Sequence, residues 1–323
     1  MKTRISYIIV ALVTMFAVGC HQDMDVVSPQ NNATTPEGWI EVEFTANAPI
    51  MTEVVVRGAD PDGIDVQNLI LFCFNDYGLY ITHIPATLNP AVETPSLSGT
   101  YKAIIPEDTR IIHFVGNQNP DLLDANMFYN RTEDEIQDDM VGASGMIIYW
   151  SRFVFSNEGS FQQQLINANN GEGIRLIRNQ AKVSIENPHN SYIDISGFVV
   201  TNIHAFGTTA PYHTQYRFPS VNNTEASNFV WPGDDFVTLP QNREKMSNIT
   251  DVYTKTEEYI FEHENSMHNP ISIILRGKPA GGDEELYYRV MVIDENGEQM
   301  MIRRNHHYKL NITGKLTYGS KTF

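Results

Sequence analysis

Between Trp39 and Leu316 the chain is written as short β-type runs broken by turn residues, and this periodicity constrains the fold more than any other feature. Trp39–Ala46 alternates, placing Ile40, Val42, Phe44 and Ala46 on one face. Val66 to Phe74 has little polar interruption and reads as a strand covered on both faces. Asp76-Tyr77-Gly78 turns it back into Leu79–Ile84, and Tyr101–Ile105 and Ile111–Val115 follow, separated by Pro106 and polar residues. The spacing predicts one helix over 132–140, where Thr132 and Glu135 form a capping box and acids fill the first turn.

Asn169-Asn-Gly-Glu-Gly173 reads as a loop and sets a domain boundary between 172 and 173. The second half opens with Ile174–Ile185 and continues with Tyr192–Phe206, Tyr259–Phe261, Ile271–Arg276 and Leu286–Ile293. Asn296-Gly297 makes a hairpin into Gln299–Arg303, and His307–Leu316 is the closing strand. The fold class is therefore mainly β: two mostly antiparallel β-sandwich domains, 39–172 and 173–323, with few short helices.

The first nineteen residues have the layout of an export signal. Lys2 and Arg4 precede an apolar run, Ile5–Val18, of about fourteen residues, short of the roughly 20 that span a bilayer. The run ends in Ala17-Val18-Gly19-Cys20, small residues before a thiol that can carry diacylglycerol, so Cys20 is the expected lipidation site. Residues 20–38 are polar and rich in Ser, Asn, Thr and Pro, as in a flexible tether. Lys2 and Arg4 leave with the signal, so the formal charge moves from -17 to -19, which argues against nucleic acid as a partner. Cys73 is the second of two cysteines, so an intrachain disulfide would have to use Cys20.

No nucleophile elbow, Walker loop, dinucleotide fingerprint or zinc-protease helix motif occurs, and no catalytic residue, cofactor or metal is assigned. His263-Glu264 with His268 is one residue too long for a helical zinc pair. Asp60–Asp65 has its glycine in the wrong place for a calcium loop. Glu133-Asp134-Glu135 and Asp138-Asp139 read as a solvated helix face, and His306 and His307 as pointing to opposite faces of a strand. Cys73 reads as a small buried apolar residue, and Tyr149, Trp150 and Trp231 as aromatics of a core or a domain interface that would stack on a sugar only if exposed.

Three phrases, in order, resemble the fimbrillin superfamily, the type V pilins. The first is Val42-Glu-Phe-Thr, then Val56-Arg57-Gly58-Ala59, then Ile64–Asn75. The second is Leu176–Ile185, and the third is Tyr287–Asp294 with Ile302–Tyr308. Residues 207–258 match none of the pattern. The resemblance implies transthyretin-like, Greek-key sandwiches and a pilin exported as a lipoprotein to the outer membrane and then built into a fimbrium. It implies that a strand carrying Ile40, Val42 and Phe44 is removable, and that an arginine-specific protease cuts between Arg57 and Gly58. Judged alone, Arg57 reads as a solvated residue at a strand end. The implied partners are other fimbrial subunits, that protease, outer-membrane lipid through Cys20 in the precursor, and a ligand on a host or bacterial surface.

Burying Ile40, Val42 and Phe44 contributes about 1.5–3 kcal/mol each, so a vacated groove lacks roughly 5–9 kcal/mol until refilled. Thr317–Phe323 alone follows Leu316, where the family's stalk subunits carry a donor segment, which points to a tip or minor subunit. An uncleaved lipid-anchored fimbrial anchor and a surface glycan-binding lipoprotein are the alternatives. The chain is not expected to be an enzyme.

Overall fold

Alternation in the first half produces a sheet that curls back on itself. The computed structural model describes residues 35–48, 52–53, 66, 68–89, 98–119, 123–143, 145–186, 192–211, 245–246, 257–268, 270–294, 296–312, 316 and 319–322. The chain divides into Met1–Thr35 and Pro36–Phe323, and every element below lies in the second unit.

The first half holds β1 (Trp39–Asn47), β2 (Thr52–Glu53), β3 (Leu69–Phe74), β4 (Tyr80–Leu88), β5 (Ser98–Pro106), β6 (Ile111–Gly116), β7 (Val141–Ala143) and β8 (Tyr149–Val154). Four short helices accompany them: α1 (Ala125–Phe128), α2 (Glu133–Asp139), α3 (Phe161–Ile166) and α4 (Ala168–Gly171). Next come β9 (Ile174–Arg175) and β10 (Ile177–Arg178). The main sheet has the order β10-β8-β6-β3-β4-β5-β1-β9, antiparallel except where β9 meets β1. Three strands separate β6 from β1 in that order, yet the Phe44 and Phe114 rings lie 5.0 Å apart. A flat sheet would hold those strands roughly 19 Å apart, so the two ends must face each other across one core. Val42, Phe44, Leu71, Ala103, Ile105, Phe114 and Tyr149 share that core.

The odd residues of β3, Leu69, Leu71 and Cys73, enter this inner core, while Ile70, Phe72 and Phe74 enter a second one under α1 and α2. All six residues of β3 are buried, as the uninterrupted apolar run requires. Asn75 accepts from the amides of Tyr77 and Leu79 at 2.9 and 3.0 Å and forms the turn at Gly78, whose φ is +70°. The capping box forms as expected: Thr132 Oγ1 accepts from the Glu135 amide and Glu135 accepts from the Thr132 amide.

The expectation of a solvated helix face fails at Glu133. Its carboxylate is buried, taking Arg152 Nε at 2.6 Å and a second guanidinium nitrogen at 3.0 Å. His113 Nε2 lies 2.8 Å from it, and Trp150 Nε1 donates to His113 Nδ1 at 3.3 Å, so the imidazole carries its proton on Nε2. Burial alone would raise the Glu133 carboxyl, but the hydrogen bonds of His113 and Arg152 bring it below its ordinary value. Burial lowers His113 in turn, keeping it neutral.

The sequence reading opens the second half at Ile174. The strands place the change of sheet later. Ile174–Arg175 runs parallel to Ala46–Asn47, and Ile177–Arg178 pairs with Tyr149–Trp150, so the chain leaves the first sheet after Arg178. Beyond it lie β11 (Ala181–Glu186), β12 (Ile193–Thr201), β13 (Ile203–His204), β14 (Phe206–Thr208), β15 (Lys245–Met246), β16 (Glu257–Ile260), β17 (Ser272–Pro279), β18 (Leu286–Met291) and β19 (His306–Asn311). One sheet has the order β16-β11-β19-β2 and the other β12-β17-β18, with Val183, Phe198, Leu275 and Tyr308 in the core between them. β11 and β19 are parallel, as are β19 and β2, among ladders that are otherwise mostly antiparallel, as expected. The hairpin at Asn296-Gly297 forms, with Ile293 opposite Gln299.

Polar side chains join the two cores. Gln180 donates to the carbonyls of Ala143 and Met146 at 3.2 and 2.7 Å, and Asn179 accepts from the Ile148 amide at 3.0 Å. The buried Arg304 binds Glu262 at 2.9 Å and the Thr209 carbonyl at 2.8 Å, while β14 pairs with β7. A mobile hinge would leave such groups in water. Here they are mostly enclosed.

Candidate functional site

The site is β1 and the groove it occupies. Alternation gives the strand two unlike faces: Val42, Phe44 and Ala46 are buried, Ile40 packs at the margin of the core, and Glu41 is exposed. Phe44 also stacks on Tyr101 at 5.9 Å. On the other face Lys102 reaches Glu41 and Glu43 at 3.9 and 3.4 Å, with all three side chains substantially exposed. Such pairs contribute about 0–1 kcal/mol, so apolar burial dominates.

The backbone of β1 is paired along its full length on one side only. All nine residues match β5, from Trp39 opposite Pro106 to Asn47 opposite Ser98. On the outer side β9 meets only Ala46 and Asn47. Further along that edge, Glu43, Thr45 and Asn47 are met by other groups. The Gln162 carboxamide of α3 accepts from the Glu43 amide at 2.7 Å and donates to the Glu43 carbonyl at 2.7 Å. Leu176 donates its amide to the Asn47 carbonyl at 2.7 Å. Gly173, at φ +87°, sits so close that a Cβ there would lie 2.4 Å from the Thr45 carbonyl oxygen.

α3 is held firmly enough to present Gln162. Leu165 is fully buried in the inner core, Phe161 stacks on Phe155 at 4.3 Å, and Ser160 caps the helix by accepting from the Gln163 amide at 3.2 Å. Past β1 the chain next forms β2, where Thr52 and Glu53 lie opposite His306 and His307 of β19. The segment from Trp39 to Glu53 therefore contributes strands to sheets in both halves.

Ile40, Val42 and Phe44 thus come together on one strand, whereas Cys20, Arg57 and Gly58 lie outside the described residues, as do Asp60–Asp65, Trp231 and most of 207–258. Cys73 is fully buried and burial pushes its thiol up to about 12, so it is inert packing. Trp150 is buried beneath α2 and Tyr149 is buried in the inner core, which leaves neither for a sugar to stack on. His263 is buried and accepts from the Asn265 amide at 2.8 Å, while Glu264 and His268 are exposed. His307 meets Ser184 Oγ at 2.8 Å and His306 Nδ1 lies 2.8 Å from the Arg304 carbonyl, on separate faces. Among the described residues no group of three or more His, Cys, Asp or Glu side chains could hold a metal ion.

Gln162 and Gly173 join the site only in the folded chain. Gly173 had a signal, a glycine in a loop beside an apolar strand. Gln162 had none, because a surface glutamine on a short helix is unremarkable until a strand edge lies opposite it.

No model of a known protein family matches the chain. A curated relative, the major fimbrium tip subunit FimE of Porphyromonas gingivalis, is 25% identical over 320 residues. The match takes in 96% of this chain and 52% of that protein, so the chain spans about half the length of the curated relatives it matches. Among solved structures, the tip fimbrial protein Mfa3 from Porphyromonas gingivalis with C-terminal truncation superimposes with a TM-score of 0.49 at 11% identity, over 84% of this chain and 94% of that one. A fimbrial assembly protein from Parabacteroides distasonis gives a TM-score of 0.48 at 11% identity, over 84% and 90%. The chain is a mainly β protein that is similar, along nearly its whole length, to a fimbrial tip subunit.

Proposed function

We propose that this chain is a structural subunit of a surface fimbrium, a tip or minor pilin and not a main stalk subunit, which enters the polymer by strand exchange. The observation that carries the reading is β1: a strand with one buried apolar face, one complete ladder and an outer edge held at a few separate points, Gln162 among them. A strand of that kind can leave without dismantling the sheet, and its departure exposes both apolar pockets and the β5 ladder. The relation to a tip subunit supports the place in the fimbrium.

In this reading Cys20 is lipidated for delivery to the outer membrane, and an arginine-specific protease then cuts between Arg57 and Gly58. The cut separates both β1 and β2 from the body of the chain. Their joint loss opens the groove in the first sheet and the β19 edge in the second. A strand from another subunit then fills the groove, and the subunit contributes an adhesive surface toward a host or bacterial ligand.

Mass spectrometry of the N-terminus of the form found on cells tests this. A start at Gly58 is the expected result. A lipidated Cys20 start on every molecule would sink it and leave an uncleaved anchor or a surface lipoprotein.

A further inference from the structure

Glu43 presents both its amide and its carbonyl to the outer edge of β1, and the Gln162 carboxamide satisfies both at 2.7 Å. A primary amide that donates to a carbonyl and accepts from an N–H of the same residue reproduces what a neighbouring strand would do there. None of this uses the Glu43 side chain, which is engaged on the other side by Asn89 Nδ2 at 2.9 Å and Lys102 at 3.4 Å. Gln162 itself is set by packing that does not involve β1 backbone: Phe161 on Phe155, with Arg110 over the Phe161 ring at 5.6 Å, and Leu165 in the core.

Resting on the strand-exchange reading, we infer that Gln162 is a latch for the backbone of whatever strand occupies the groove, whether the resident β1 or the segment of another subunit that replaces it. The latch sets a rule for the incoming segment. It needs alternating apolar residues to fill the places of Val42, Phe44 and Ala46, and at the place of Glu43 any residue with a free N–H. Proline there has no donor and loses half of the latch. Gly173 adds a second condition, since its close approach to Thr45 demands an extended backbone two residues further on.

Hydrogen exchange resolved to single amides in the uncut full chain tests the latch by itself. Gln162→Ala should speed exchange at Glu43 about 10-fold or more, while Val42 and Phe44, whose amides face β5, keep their protection. Glu43→Ala should leave the backbone at that position protected. Gln162→Glu, of equal length, keeps the acceptor and loses the donor, so its effect should fall between. Unchanged exchange at Glu43 in Gln162→Ala overturns the latch.

The chain cut after Arg57 tests the incoming strand. Excess labelled peptide spanning Trp39–Glu53 should displace the resident segment, and about 10-fold faster from Gln162→Ala. The same peptide with proline in place of Glu43 should compete about 10-fold less well against the unsubstituted chain, and no worse against Gln162→Ala. Equal discrimination by both chains overturns the rule for the incoming segment. A segment that never leaves any cut chain overturns strand exchange, while the Glu43 amide still decides the latch.

Discussion

β1 and β3 belong to the same sheet and line the same inner core, yet the fold treats them oppositely. Leu69–Phe74 is buried on both faces and paired at every residue with β4 on one side and β6 on the other. Trp39–Asn47 buries one face and owns one full ladder, and its other edge is held at Glu43, Thr45, Ala46 and Asn47 by one glutamine, one glycine contact and two residues of β9. The difference is what the proposed strand exchange requires: one strand held by ladders on both sides and another with a full ladder on one side only. Every grip on β3 is shared with residues on two sides, so none can open alone. The grips on the outer edge of β1 are separate and short, and releasing them leaves the other strands paired as before.

The comparison can be broken from either side. Phe72→Ala should have the largest effect, about 3–5 kcal/mol, because its ring is enclosed by Tyr80, His83 and Phe128 and the sheet cannot collapse onto the cavity. Chemical denaturation should show the whole of the first half losing stability together. Phe44→Ala removes a ring of equal size but should cost less, about 3 kcal/mol, because β1 can detach and relieve the cavity. In that variant hydrogen exchange should accelerate along β1 and stay slow in β3. Equal acceleration in both strands would mean that β1 is not a separable unit.

Gly173→Ala sharpens the picture at the outer edge. Its Cβ meets the Thr45 carbonyl, so β1 must move outward at a cost of about 1–3 kcal/mol, read as a lower melting temperature and faster exchange at Ala46 and Asn47. Glu43→Ala should do least, about 1 kcal/mol at most, because Lys102 is exposed and the latch holds the backbone. A larger loss from Glu43→Ala than from Gly173→Ala, measured by the same melts, would show that side chains of the polar face hold the strand.

Several elements were legible before any coordinates. The alternation from Ile40 to Ala46 anticipated which side chains of β1 are buried, the apolar run ending at Phe74 anticipated burial on both faces, and Thr132 with Glu135 announced the start of α2. Asn296-Gly297 marked a hairpin and Cys73 a packed thiol. Glu133 was misread because local acidity describes a helix end correctly and says nothing of Arg152 and His113 arriving from β8 and β6. Likewise Ile174–Arg178 looked continuous with the strand that follows, and pairing with β1 and β8 took those residues into the first sheet.

The sequence by itself determined many of the strands, their apolar faces and several turns, because these depend on side-chain periodicity and on backbone preferences within a few residues, but β8 and three of the four short helices had no such mark. Only the tertiary structure decided which strand edges are shared, that β1 and β2 serve different sheets, and that Gln162 stands opposite Glu43 at a separation of 119 residues. Backbone donors and acceptors are the same in every residue but proline, so a ladder partner leaves no mark in the local sequence. The groove and the strand that fills it are therefore matched by position in the fold, and the residue that latches them together carries no sign of that role until the chain has closed.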